Sequence, residues 1–233
     1  MTTAAIGIVA HFDRIEMAER LANRLQPTVI AYDDGTFGAT ANHRRVWADL
    51  AFSTNRRSPW CLVVEDDAQP IPGAGWSGFH AQLDAALSAA PAPIVSLYLG
   101  TGRPLAGWQG RIRQATNEAN STGAHWIVSN HVLHAVAIAI RTDLVPDMLA
   151  HTKGTNLVAD DALTAWATVR SHRVAYCWPS LVDHDDDAES LAEHRDGKPR
   201  TQRRRAWATG GHRNWNGRAV DMLSHPFRVP ARR

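Results

Sequence analysis

The sequence predicts an α/β fold, Rossmann-like in layout: an open, mainly parallel sheet flanked by helices. Three observations carry that expectation. Over about the first seventy residues, short apolar runs alternate with amphipathic stretches in the order strand, helix, strand, helix, strand. Each apolar run stops on polar or acidic residues, as expected of parallel strands whose C-terminal ends line one ligand-binding edge. The run Leu62-Val63-Val64 shows no polar alternation, the pattern of a strand buried on both faces.

Taken in order, "AAIGIVAHFD" reads as the first strand. In "RIEMAERLANRL" the apolar residues Ile15, Met17, Ala18, Leu21, Ala22 and Leu25 share one face of a helix. "PTVIAYDDG" is a second strand, stopped by Asp33, Asp34 and Gly35, and "GATANHRRVWADLAF" a second helix that Thr40 or Asn42 is placed to cap. "PWCLVVEDDA" is the third strand. "GWSGFHAQLDAALSAA" predicts a helix ended by Pro91 and Pro93, followed by the strand "PIVSLYLG". Residues 101–130, rich in Gly and polar residues, predict irregular, substrate-facing chain, with Trp108 and Trp126 as the aromatic contacts. "HAVAIAIR" is again a strand, "TDLVPDMLAHT" a short helix, and "NLVADDALTAWATVRS" a helix opening on Asp160 and Asp161. "RVAYCWPSLVDHDDDAESL" predicts a last strand that breaks into a polar loop.

Length and composition fit one domain over residues 1–196 plus a basic extension over 197–233, with 44% hydrophobic residues to build a core. From Gly197 onward ten Lys or Arg face one acid, Asp221, a net charge of +9. Since the whole chain carries +2, the body carries −7, so the extension is expected to meet phosphate, nucleic acid or the body itself. The longest apolar run, Ala135 to Ile140, is too short to span a bilayer. "MTTAAIGIVAHFD" has neither the basic start nor the cleavage site of a signal peptide. Cys61 and Cys177 each fall inside an apparent strand, which predicts free buried thiols and a cytoplasmic protein.

Three acidic clusters fall at corresponding places: Asp33 and Asp34 after the second strand, Glu65, Asp66 and Asp67 after the third, and Asp183 to Asp187 beside His184 after the last. Adjacent carboxylates repel one another and call for a cation. A His plus carboxylates is a reasonable ligand set for Mn²⁺ or Mg²⁺ when a diphosphate completes the shell. The alternative is three separate solvated turns. No phosphate-binding Gly-x-x-x-x-Gly-Lys loop and no paired Cys-x-x-Cys occurs, which excludes P-loop ATPases and zinc fingers.

Four segments together resemble the metal-dependent GT-A-fold glycosyltransferases of the small bacterial and phage type. "LVVEDDA" looks like the Glu-Asp-Asp variant of their Asp-x-Asp motif, and "GATANHRRVW" like the helix after their nucleotide loop. "VADDALTAW" is similar to the acidic start of their acceptor-side helix, and "PSLVDHDDDAESL" to a segment whose His is a late metal ligand. The matches spread over residues 5–191. The resemblance implies that Asp67 and His184 bind Mn²⁺ or Mg²⁺, with Glu65 and Asp66 near the ribose or the metal's water shell. It implies that Asp33 or Asp34 holds the uracil or ribose of a nucleotide-sugar, expected to be a UDP-sugar, with Ala10, His11 and Phe12 bordering the base. Asp161, with Asp160 beside it, would be the general base, and Arg203, Arg204 and Arg205 would add charge to the diphosphate. Each has a plainer alternative: Asp160 and Asp161 also suit a helix N-terminus, and Asn42 and His43 may only cap and pack.

The extension interleaves arginines with Trp207 and Trp215, a pattern suited to phosphate contacts and base stacking. This points to DNA bearing a 5-hydroxymethylpyrimidine as acceptor, the base leaving the stack to reach the site. Protein (a phage virion component) or saccharide acceptors are the alternatives. A non-catalytic nucleic-acid-binding module and a two-metal phosphohydrolase are the rival classes.

Overall fold

The computed structural model describes residues 3–52, 58–71, 76–102, 106–185 and 204–227. Their order is β1 (Ala4–His11), α1 (Ile15–Leu25), β2 (Val29–Asp33), α2 (Ala39–Phe52), β3 (Trp60–Glu65), β4 (Ala68–Pro70) and α3 (Trp76–Ala89). Then follow β5 (Ile94–Ser96), α4 (Ala106–Thr122), β6 (Trp126–Ser129), β7 (Ala137–Arg141), α5 (Val145–His151) and α6 (Ala159–Val169). β8 (Val174–Cys177), β9 (Val182–His184) and β10 (Ala219–Asp221) complete the chain.

Among the described residues eight strands form one mixed sheet in the order β10-β6-β8-β5-β7-β3-β1-β2. β1 pairs in parallel with both β2 and β3, as the alternating start of the sequence predicts. β7 is antiparallel to β3 and β5, and β6 is antiparallel to β8, so the sheet is parallel only in part. The remaining β4 and β9 form an antiparallel pair of their own, which sequence patterning does not reveal because each has only three residues.

Strand residues alternate between two cores. Val9, Cys61, Val63, Ile138 and Ile140 pack with α2, α4, α5 and α6. Ile6, Ile8, Leu62, Val64 and Ala139 pack with α1 and α3 on the other face. Covering both faces explains the continuous apolar strands. α2 lies so close to β1 that a Cβ on Gly7 would come within 2.4 Å of Val46 Cγ1, which leaves glycine as the residue that fits. Cys61 and Cys177 are both buried thiols, not joined in a disulfide, and burial pushes the Cys177 thiol up.

One expectation is corrected. Residues 101–130 are not irregular: α4 and β6 occupy most of that stretch, with Trp108 and Trp126 only 6% and 1% exposed. The described part of the basic extension, 204–227, lies as a strap on the body itself, one of the three partners expected of it. It adds β10 to the sheet, and Trp207 N–H donates to the Leu99 carbonyl at 2.9 Å. Trp215 is 1% exposed, its indole N–H donates to Gln82 Oε1, and its carbonyl accepts from Trp126 Nε1. The His125 and His212 rings stack 3.7 Å apart, and Gly217 N–H donates to His125 Nδ1. Trp215 is thus a plug in the core, closed to a base.

Trp215→Ala is expected to cost about 3–5 kcal/mol in urea unfolding, the range for removing a large buried aromatic. The strap also makes stability pH-dependent. Burial and the facing His212 hold His125 below the usual imidazole value. The unfolded chain therefore takes up a proton below about pH 6.5 that the folded chain resists, and stability falls as pH drops through that value. The urea midpoint should drop less between pH 7.5 and 5.5 in His125→Gln than in the wild type; equal drops would exclude His125 as the source.

Candidate functional site

β1, β2 and β3 run in parallel and end on one edge of the sheet, His11 standing opposite Asp33 and Val9 opposite Glu65. β5 and β8 point the same way. α6 leads through a short turn into β8 and so starts near that same edge, which places Asp160 and Asp161 there. Two contacts tie α6 to α2: Thr40 Oγ1 donates to the Leu157 carbonyl, and His43 shares a small cavity with Ala159 and Ala162. Asp160 and Asp161 are half-buried in the first turn of α6, where negative charge is favourable against the helix dipole, and Asp160 Oδ1 accepts from Asp161 N–H.

The centre of the edge is the turn after β3. Asp66 and Asp67 are each only 6% exposed. One guanidinium nitrogen, Arg14 Nη1, lies 2.9 Å from both Asp66 Oδ1 and Asp67 Oδ2. Asp66 Oδ2 accepts from His11 N–H at 2.9 Å. Pairing of β4 with β9 sets Ala68 opposite His184, bringing His184 Nε2 to 3.3 Å from Asp67 Oδ2. Glu65, half-buried, meets His43 Nε2 at 3.1 Å. Every member of the acidic triplet therefore has a nitrogen partner. Arg14 and His43 are the partners that sequence reasoning missed. The signal for Arg14 was a base placed just past the first strand.

Environment drives the two neighbouring carboxyls apart. Burial pushes Asp66 up, as does the Asp67 charge, against the His11 N–H and Arg14. Burial opposes the Asp67 charge as well, but the hydrogen bond and charge of His184, with Arg14 and Arg204, hold its carboxyl below the usual range. The same two carboxylates raise Arg14 despite its burial.

The other expected residues divide. Arg204 reaches the field of Asp67, whereas Arg205 is exposed and engages Thr101 through its carbonyl. Arg203, Asp186 and Asp187 lie outside the described residues. Asp33 is buried, and its two oxygens accept from Phe37 and Gly38 N–H just ahead of α2. It fixes the approach to α2, while the Asn42 side chain, an expected cap, instead donates to the Ala10 and Ala31 carbonyls. Asp34 is exposed, and its hydrogen bonds to Thr36 hold it below the usual value. Ala10 is 3% exposed, while Phe12 is 52% exposed and stacks on Tyr32 at the strand ends. Asp183 Oδ1 accepts from His184 and Ala206 N–H, a structural role.

Among the described residues no group of three or more His, Cys, Asp or Glu is arranged to hold a metal. Asp67 and His184 are nonetheless the residues here that could hold one with ligands from outside the protein. Asp67 Oδ1 is buried without a hydrogen-bond partner, and its Oδ2 lies 3.3 Å from His184 Nε2. A cleft of about 400 Å³ opens beside Asp66 and Asp67, with Arg20 and Arg24 of α1 on its wall. The donor set thus fits a hard divalent cation whose remaining ligands come from phosphate and water. No helix among the described residues is long and apolar enough to cross a membrane. Neither the protein-family models nor the curated proteins include a match to this chain.

Asp33→Ala removes the acceptor of two backbone N–H groups in the loop that opens α2. It should cost about 2 kcal/mol in urea unfolding, the scale of lost hydrogen bonds to a charged group.

Proposed function

We propose that the protein is a metal-dependent glycosyltransferase that moves a sugar from a nucleotide-sugar, a UDP-sugar in the first instance, to an acceptor hydroxyl. The observation that carries the reading is the meeting of Asp67 and His184 at 3.3 Å on the edge where the parallel strands end. These two residues would hold Mn²⁺ or Mg²⁺, which when bound stabilises the negative charge of the departing diphosphate. Arg204, already in the field of Asp67, would add positive charge on the same side. Asp33, by fixing the loop before α2, would shape the wall for the nucleoside, with exposed Phe12 at its rim.

Asp161 would take the proton of the acceptor hydroxyl as its oxygen bonds to the sugar's anomeric carbon. The bond from that carbon to the diphosphate breaks and the nucleoside diphosphate leaves with the electron pair. A carboxylate acting as base on the acceptor makes the reaction inverting. Asp160, whose Oδ1 is held by the Asp161 N–H, is the supporting member of the pair.

For the acceptor, the proposal keeps 5-hydroxymethylpyrimidine DNA, now on the arginines of the extension alone. The stacking argument from Trp215 is lost with its burial. Trp207 is half-buried, with the Arg113 guanidinium 5.8 Å over its ring. Transfer of labelled sugar to hydroxymethylated DNA, but not to unmodified DNA or to protein, is the outcome that supports this acceptor.

Two variants test the site. Asp67→Ala should abolish metal-dependent donor binding, whereas Asp161→Asn should retain it and lose transfer by at least a hundredfold, within the usual range for a general base. Donor binding is read by thermal unfolding with Mn²⁺ and a panel of sugar nucleotides. Donor at about a hundred times its Kd adds about 2.7 kcal/mol of stability. Full transfer activity in both variants would refute the assignment.

A further inference from the structure

The glycosyltransferase reading leaves Arg14 without a role, yet Arg14 already occupies the position where positive charge is needed. Its Nη1 sits 2.9 Å from an oxygen of Asp66 and 2.9 Å from the Asp67 oxygen that His184 also approaches. The side chains are close to sealed, with relative exposures of 12% for Arg14, 6% for Asp66 and 8% for Asp67, so water screens the cluster little. A divalent cation arriving alone at Asp67 would meet a carboxylate already matched with a guanidinium and would face that positive charge at close range. A diphosphate arriving alone would meet the two carboxylates. The two arriving together bring opposite charges into one low-dielectric site, where each offsets the charge that opposes the other.

From this we infer that Arg14 is a resident counter-cation that makes the divalent metal and the nucleotide diphosphate bind as a unit. Arg14 holds down the affinity of Asp67 and His184 for the bare ion, and the diphosphate restores it. Asp67 Oδ1, buried without a hydrogen-bond partner, is the point at which the ion can be accepted while Oδ2 stays paired with Arg14. Linkage requires the effect to be reciprocal: the factor by which the diphosphate tightens metal binding equals the factor by which metal tightens the diphosphate. In function, the site would stay closed to free metal ions until a donor is present.

The inference rests on the metal reading of Asp67 and His184, and the experiment separates the two. Free Mn²⁺ is titrated by electron paramagnetic resonance against the full chain, with and without UDP. In the wild type, UDP should tighten Mn²⁺ at least tenfold. In Arg14→Gln, Mn²⁺ alone should bind at least tenfold more tightly than in the wild type, and the gain from UDP should shrink to threefold or less. Arg14→Gln leaves two carboxylates facing each other, so the same comparison is made in an Asp66→Asn background. There the double variant Arg14→Gln/Asp66→Asn removes one charge of each sign and should bind bare Mn²⁺ more tightly than Asp66→Asn alone. Equal Mn²⁺ affinity with and without Arg14 in both backgrounds overturns the counter-cation role and leaves the metal site standing. No Mn²⁺ binding by the wild type, with or without UDP, overturns the metal site and with it the inference.

Discussion

Asp66 and Asp67 leave β3 where the sheet is covered on both faces, so bulk water does little to carry their charge, while Glu65 beside them is half-buried. An ionised carboxylate taken out of water costs several kcal/mol unless it is paired and hydrogen-bonded. The chain meets that demand from five separate places. Arg14 comes from the turn after β1, the His11 N–H from the end of β1, His43 from α2, His184 from β9 and Arg204 from the strap. Much of the edge geometry follows from this one requirement. β4 must pair with β9 to deliver His184, α1 must begin directly after β1 to deliver Arg14, and α2 must turn its buried His43 toward β3.

The same requirement supports the proposed transferase over a two-metal hydrolase. Two-metal hydrolysis uses carboxylates to bridge or flank a pair of ions. Here Asp66 is committed on both oxygens, to Arg14 and to the His11 N–H, and Glu65 is engaged by His43. Asp67 alone of the triplet keeps a buried oxygen without a hydrogen bond. The proposed site would hold one ion on one carboxylate and one imidazole, and it would need a substrate that brings its own oxygen ligands. A diphosphate meets that need.

The β-α-β-α-β start was legible in the sequence because both cores demand continuous apolar strands and the helices show a clear periodicity. The residues of the acidic edge were legible for a related reason: a strand that ends in carboxylates marks where burial stops. What was hidden depended on partners distant in the chain. β4 and β9 are three residues each and carry no pattern of their own, so the strand pairing that brings Asp67 to His184 was hidden, although the resemblance had placed the two residues together. Glycines and polar residues between 101 and 130 suggested a loop, but Trp108, Ile112, Ala115 and Ala119 share the buried face of α4, a stripe that composition obscured. Arg14 and His43 looked like ordinary helix-flanking residues, since nothing local says which carboxylate they will face. Trp215 had the composition of a nucleic-acid contact and the fate of a core residue, because Gln82 supplies the acceptor its indole N–H needs when buried.

The strap and the site are joined through one carboxylate. Asp183 Oδ1 accepts the N–H of His184, the partner of Asp67, and the N–H of Ala206, the residue that bridges to Gly100. The Tyr98 hydroxyl donates to the Arg204 carbonyl, two residues earlier in the strap, while the Tyr98 ring leans against His184 at 6.3 Å. The position of His184 is therefore set on one side by β4 and on the other by a segment that is itself anchored at Trp215 and β10. Removing the strap would take away the hydrogen bond that fixes the backbone beside His184 and the arginine that favours the charged form of Asp67. The basic C-terminal segment is thus part of what holds the acidic edge in place.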